Sequence, residues 1–198
     1  MIRRVFLQGL ALASLAFAGP GLAQDFDPEN VLVLDIAGEA NGTVEILLRP
    51  DVAPLHAAQI KALAREGAYD GVAFHRVIDG FMAQTGDVQF GKAEGYDPSR
   101  AGMGGSELPD IPAEFSDLAY APGIVGMARS NRPDSANSQF FIMFARYPSL
   151  DGNYTVIGRV IEGMDVVNAI KRPVSGQVVQ ENPDYILRAY IKADGAPG

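Results

Sequence analysis

The chain contains no cysteine and no tryptophan, and only two histidines among its 198 residues. Without cysteine there is no disulfide framework, thiolate zinc site, iron–sulfur ligation, thiol nucleophile or lipid-modified cysteine. His56 and His75 lie nineteen residues apart and outside any HExxH spacing, so the zinc-hydrolase pattern is missing. A GxSxG elbow and a GxxxxGKS or GxxxxGKT loop are also absent, and with them the backbone geometry of common serine hydrolases and nucleotide sites. Gly102-Met103-Gly104-Gly105 is glycine-rich but has no Lys-Ser or Lys-Thr after it. A serine working with one of the histidines is the covalent alternative these absences leave. Positive charge is scarce too: 16 Lys and Arg against 24 Asp and Glu, a formal charge of −8. A general nucleic-acid binder needs a basic face for phosphates, so that class is set aside.

Long apolar runs are equally rare. Val5 to Ala18 is the one extended stretch, about 14 residues against the roughly 20 that span a bilayer. Arg3 and Arg4 precede it; Gly19-Pro20 and the small residues Gly21-Leu22-Ala23 follow. This is the layout of a secretory signal, residues 1–23, cleaved before Gln24. The arginine pair lacks twin-arginine surroundings, so the export route stays open. Losing Arg3 and Arg4 turns the net charge of −8 into −10 over the remaining 175 residues. With no second apolar run, residues 24–198 form a domain with no stable membrane insertion after cleavage. Export without cysteine points to a bacterial envelope protein in the periplasm.

What is present is a well-stocked core, 47% hydrophobic, punctuated by 22 Gly and 13 Pro. Such punctuation favours many short strands. Val31–Ala37 and Thr43–Arg49 read as a hairpin around Asn41-Gly42, with Val44, Ile46 and Leu48 on one face. Pro54 opens a helix with Leu55, Ile60, Leu63 and Ala64 as its apolar stripe, and Gly67 stops it. Val72–Ile78, Phe81–Thr85, Gly123–Ala128, Gln139–Phe144, Val156–Ile161 and Tyr185–Ala193 bring the strand count to eight, with a second short helix over Met164–Lys171. Asp87–Pro122 has little periodicity, and loops of that length are uncommon unless functional. Eight strands suit a sandwich or a closed barrel, and periodicity does not choose between them.

Three segments place polar groups inside apolar sequence. Phe74–Asp87 (FHRVIDGFMAQTGD) carries Arg76 and Gln84 beside Phe81 and Met82. Gly126-Met127-Ala128-Arg129, followed by Ser138–Ile142 (SQFFI), adds a second cluster; Leu150–Gly158 (LDGNYTVIG) adds a turn with an aliphatic and a phenol. Buried polar groups need partners or a function. The plainer reading has Arg76 bonding backbone carbonyls and Phe81 filling the core.

In order and spacing these segments resemble the cyclophilin-type peptidyl-prolyl cis-trans isomerases, over about Val31 to Ala193. The resemblance implies a mainly β fold: a closed eight-stranded antiparallel β-barrel capped by two α-helices, its groove on the outer wall. By motif position it implies Arg76 as the catalytic arginine, with Gln84 positioning the peptide backbone or holding Arg76. Phe81, Met82, Phe141 and Leu150 would line the proline pocket. Ala128 and Arg129 would form the wall for residues preceding proline, Gln139 would face that wall, and Tyr154 would stand where many members carry histidine. The implied partners are proline-containing peptides and unfolded or folding proteins, met by a monomer without cofactor or metal. The alternative is a chaperone module that holds proline segments with little turnover. Three departures stand out. Ser149 occupies a position where cyclosporin-sensitive members often carry tryptophan, which predicts weak cyclosporin binding. The Arg129–Asn137 loop runs one residue longer than in common members, and Asp87–Pro122 diverges.

Overall fold

The computed structural model describes residues 26–197. The leader read over residues 1–23 lies outside the described residues. Nine strands and two helices follow in the order β1 Val31–Ala37, β2 Gly42–Leu48, α1 Pro54–Arg65, β3 Val72–Ala73, β4 Arg76–Ile78, β5 Met82–Thr85, β6 Ile124–Met127, β7 Phe140–Met143, β8 Val156–Glu162, α2 Met164–Ala169 and β9 Tyr185–Ile191. All strands belong to one curled antiparallel sheet, ordered β3-β9-β1-β2-β8-β6-β7-β5-β4. The ninth strand arises because Val72–Ile78 is not continuous. Phe74 and His75 leave the ladder, so β3 ends one side of the sheet and β4 the other.

Two local expectations are corrected. Asn41-Gly42 does not make a two-residue turn, because Ile36 pairs with Gly42 and the connection is five residues long. The buried carboxylate of Asp184 organises it, accepting from the N–H groups of Glu39 and Ala40. A distant acid thus replaces local turn chemistry. On α1, Leu55 is 53% exposed, and the buried stripe is His56, Ala57, Ile60, Leu63 and Ala64. The first turn is held at its open N–H end by Glu114, whose carboxylate accepts from Leu55 and His56 and lies 2.6 Å from the His56 ring. The helix rotates accordingly.

Strand alternation then divides the molecule into two faces. Inner residues such as Leu34, Ile46, Ala83, Phe140 and Ile142 pack with Ile60 and Leu63 of α1 into the main core. Met82, Phe141 and Met143 point the other way and join Tyr120, Leu150 and Val156 in a smaller cluster. That second face carries the site.

Candidate functional site

Register brings the outward residues of four neighbouring strands together. Arg76 pairs with Gln84, Ile78 with Met82, Gln84 with Phe141, and Gly126 with Phe141 across the next ladder. Because the side-chain period is two, these residues share one face and their alternate neighbours are core. No side chain fits at position 126: a Cβ there would come within 2.7 Å of Phe141 Cζ and of the Tyr120 ring. Glycine lets the Phe141 ring lie flat against the sheet.

An oriented chain of hydrogen bonds crosses this face. The buried Asp87 carboxylate accepts from the N–H groups of Gln89, Phe90, Gly102 and Gly104. The carbonyls of Gly102 and Gly104 accept from Gln139 Nε2, at 3.0 and 2.7 Å. This turns Gln139 Oε1 toward Gln84 Nε2, 2.9 Å away. Gln84 Oε1 in turn accepts from Arg76 Nη1 at 3.2 Å. The two carbonyls accept only, so each amide has one workable orientation. On the far side, Gln177 Oε1 accepts from Arg76 Nε and Nη2, at 3.1 and 2.7 Å. Partial burial of Arg76 pulls its pKa below the ordinary guanidinium value, yet an arginine remains a cation in proteins.

Of the ten site residues expected from sequence, nine line a single cavity of about 180 Å³: Arg76, Phe81, Met82, Gln84, Ala128, Arg129, Phe141, Leu150 and Tyr154. Gln139 stands in an adjoining cavity of about 250 Å³ that shares Gln84, Ala128 and Arg129. The apolar walls are braced from behind. Tyr120 stacks on Phe141 with centroids 5.8 Å apart, and Tyr154 meets Phe141 edge-on. Arg129 lies 4.4 Å over the Tyr154 ring and donates to the carbonyls of Ser130 and Asn153. Leu150 is presented by the short turn Pro148–Leu150; the adjacent Asp151 carboxylate accepts from Tyr120 N–H and pairs with Arg146.

The histidines take no part in this wall. His56 is tied to Glu114. His75 is buried behind Arg76, with its pKa lowered to about 4 by desolvation and no partner for either ring nitrogen among the described residues. Among the described residues no serine hydrogen-bonds either ring, which sets the covalent alternative aside.

Sequence reading missed Gln177, Tyr147 and Tyr120. Gln177 sits in an aperiodic loop, and its one signal was a polar residue between small and β-branched neighbours. Tyr147 was detectable as an aromatic two residues before Ser149, where the rim lacks tryptophan.

Comparison with known proteins follows the same outline. Residues 33–191 match the family model described as cyclophilin type peptidyl-prolyl cis-trans isomerase. A protein of Brucella suis named probable peptidyl-prolyl cis-trans isomerase is 53% identical over 193 residues, covering 96% of this chain and 97% of its own. Among solved structures, a cyclophilin from Hirschia baltica aligns with a TM-score of 0.70 at 29% identity, over 86% of this chain and 77% of that one. A cyclophilin-type isomerase of Cryptosporidium parvum, solved in the presence of the dipeptide Ala-Pro, aligns with a TM-score of 0.67 at 25% identity, over 81% of this chain and 98% of that one.

Proposed function

The chain belongs to the cyclophilin-type peptidyl-prolyl cis-trans isomerases and is an enzyme of that class, and from that premise we propose that Arg76 drives X-Pro isomerisation by donating to the prolyl nitrogen. The observation that carries this reading is the state of its guanidinium. Of five N–H bonds, Gln177 takes two and Gln84 one, leaving one on each terminal nitrogen beside the cavity that Phe81, Met82, Phe141 and Leu150 also line.

The chemistry requires nothing else. Partial double-bond character sets the barrier to rotation at about 20 kcal/mol. An N–H donated to the prolyl nitrogen draws its lone pair out of conjugation with the carbonyl and favours the twisted amide. Only binding that is tighter for the twisted than for the planar form accelerates the reaction. A 10⁵-fold acceleration corresponds to about 7 kcal/mol of that preference. Phe81, Met82, Phe141 and Leu150 exclude water around the proline ring, where a charged hydrogen bond counts for more. No proton moves and no covalent intermediate forms.

We also read β3 and β4 as one interrupted strand, since only Phe74 and His75 separate them; the curled sheet is then the eight-stranded closed barrel. Residues 1–23 support export and a role on proline-containing segments of exported proteins folding in the periplasm, with the enzyme acting as a monomer. Mass measurement of protein recovered from a periplasmic fraction tests export, and a chain starting at Gln24 is expected. Isomerisation of a proline tetrapeptide tests the mechanism. Arg76→Ala should lose at least about 100-fold in kcat/KM with an unchanged melting temperature; wild-type turnover in that variant would overturn the assignment.

A further inference from the structure

The loop between α2 and β9 touches the active arginine, and no motif in the sequence points to it. Its base is pinned where Lys171 N–H donates to the buried Asp184 carboxylate. Its middle lies against β4, the end strand of the sheet. Val77 N–H donates to Gln177 O, Val179 N–H donates to His75 O, and Arg76 pairs with Val178. The Tyr96 hydroxyl, from the long Asp87–Pro122 segment, donates to Val179 O. Residues 177–179 therefore cover an edge that would otherwise offer bare N–H and C=O groups. The same pairing fixes the backbone of Gln177 beside Arg76.

From that backbone the Gln177 side chain reaches the inner edge of the guanidinium. A single oxygen takes Nε–H and one Nη2–H, while Gln84 takes Nη1–H from the other side. Either acceptor alone leaves the plane free to swing about the last side-chain bonds. With both in place the plane is set, and the two remaining N–H groups have fixed directions. We propose that Gln177 is a positioning residue for Arg76, aligning the guanidinium for the reacting amide without touching substrate. This rests on the catalytic reading of Arg76 and adds a second anchor supplied by a loop outside the three motif segments.

The test uses the full-length protein and separates alignment from binding. Gln177→Met keeps the length and removes the acceptor; Gln177→Glu keeps an acceptor in place. On a proline tetrapeptide, Gln177→Met should lower kcat about five- to tenfold with KM within about twofold, the size expected for losing a hydrogen bond to a charged group that is part-exposed. Gln177→Glu should stay within about twofold of wild type. Wild-type kcat in Gln177→Met, a loss confined to KM, or an equal loss in Gln177→Glu each overturns the proposal. Arg76→Ala is run alongside. If it retains turnover, the catalytic reading itself has failed; if it is inactive while Gln177→Met is wild type, only the positioning role has failed.

Discussion

The Tyr147 ring lies over the Phe81 ring, with centroids 4.3 Å apart and planes inclined by 33°. Tyr147 is 41% exposed, so the tilted pair sets an exposed aromatic beside Phe81, which lines the pocket. Ser149, two residues on, contributes no such wall. Removing the outer ring should weaken the grip on a bulky residue next to proline. Tyr147→Ala is expected to raise KM about two- to tenfold for a peptide with phenylalanine flanking the proline, the range an aromatic pair supports. A peptide with glycine at that position should change little. Equal effects on both peptides would assign Tyr147 to folding rather than to recognition.

Cyclosporin sensitivity tests the same rim. Serine at 149 supplies neither an indole N–H nor a large apolar surface, and Tyr147 is already engaged with Phe81. The wild-type enzyme should need inhibitor well above nanomolar concentrations. Nanomolar inhibition of the purified protein would sink this expectation.

Behind the pocket, Tyr120 is fully buried and its hydroxyl has no partner among the described residues. Burial also drives its pKa well above the ordinary phenol value, so the hydroxyl stays neutral. Deleting an unpaired polar atom removes a desolvation cost and little else. Tyr120→Phe should therefore unfold at the same denaturant concentration as wild type or higher. Gly126→Ala should do the opposite. Its methyl group drives into Phe141 and Tyr120, costing roughly 1–3 kcal/mol through overpacking and lowering kcat/KM as Phe141 shifts. A stable, fully active Gly126→Ala enzyme would mean the wall is softer than its packing indicates.

His75 makes stability depend on pH. Its folded pKa, about 4, is below the ordinary histidine value because burial penalises the charged ring. The unfolded chain therefore takes up a proton first as pH falls. Stability is complete above about pH 6.5, declines between there and about pH 4, and stops declining from this source below that. Up to about 3 kcal/mol lies in that window on account of His75. His56, also lowered by burial, adds to the same slope. Denaturant unfolding at pH 7, 5.5 and 4.5 should show the decline, and His75→Gln should flatten it. An unchanged slope in that variant would exclude His75 as the source.

Period-two alternation made much of this site legible. Met82 and Gln84 facing one way, with Ala83 and Thr85 facing the other, is a local property of a strand. The segments carrying Arg76, Phe141 and Leu150 were recognisable from side-chain type and spacing. The α1 stripe was misread at Leu55 because helix rotation is set by what the helix packs on, and Glu114 is 59 residues away along the chain.

The sequence by itself determined the strand faces, because alternation is a local property, and its motifs carried the family resemblance that implied the ten residues gathered around the groove. Tertiary structure alone supplied the second anchor on Arg76. Gln177 lies 101 residues from it, and nothing in a hydrogen bond of that span leaves a periodic trace. The same holds for the break at Phe74-His75, which separates the two end strands of the sheet, and for Asp184 closing the first hairpin. Each depends on a polar group meeting a distant backbone or side chain, and only the folded chain brings those partners within hydrogen-bonding distance.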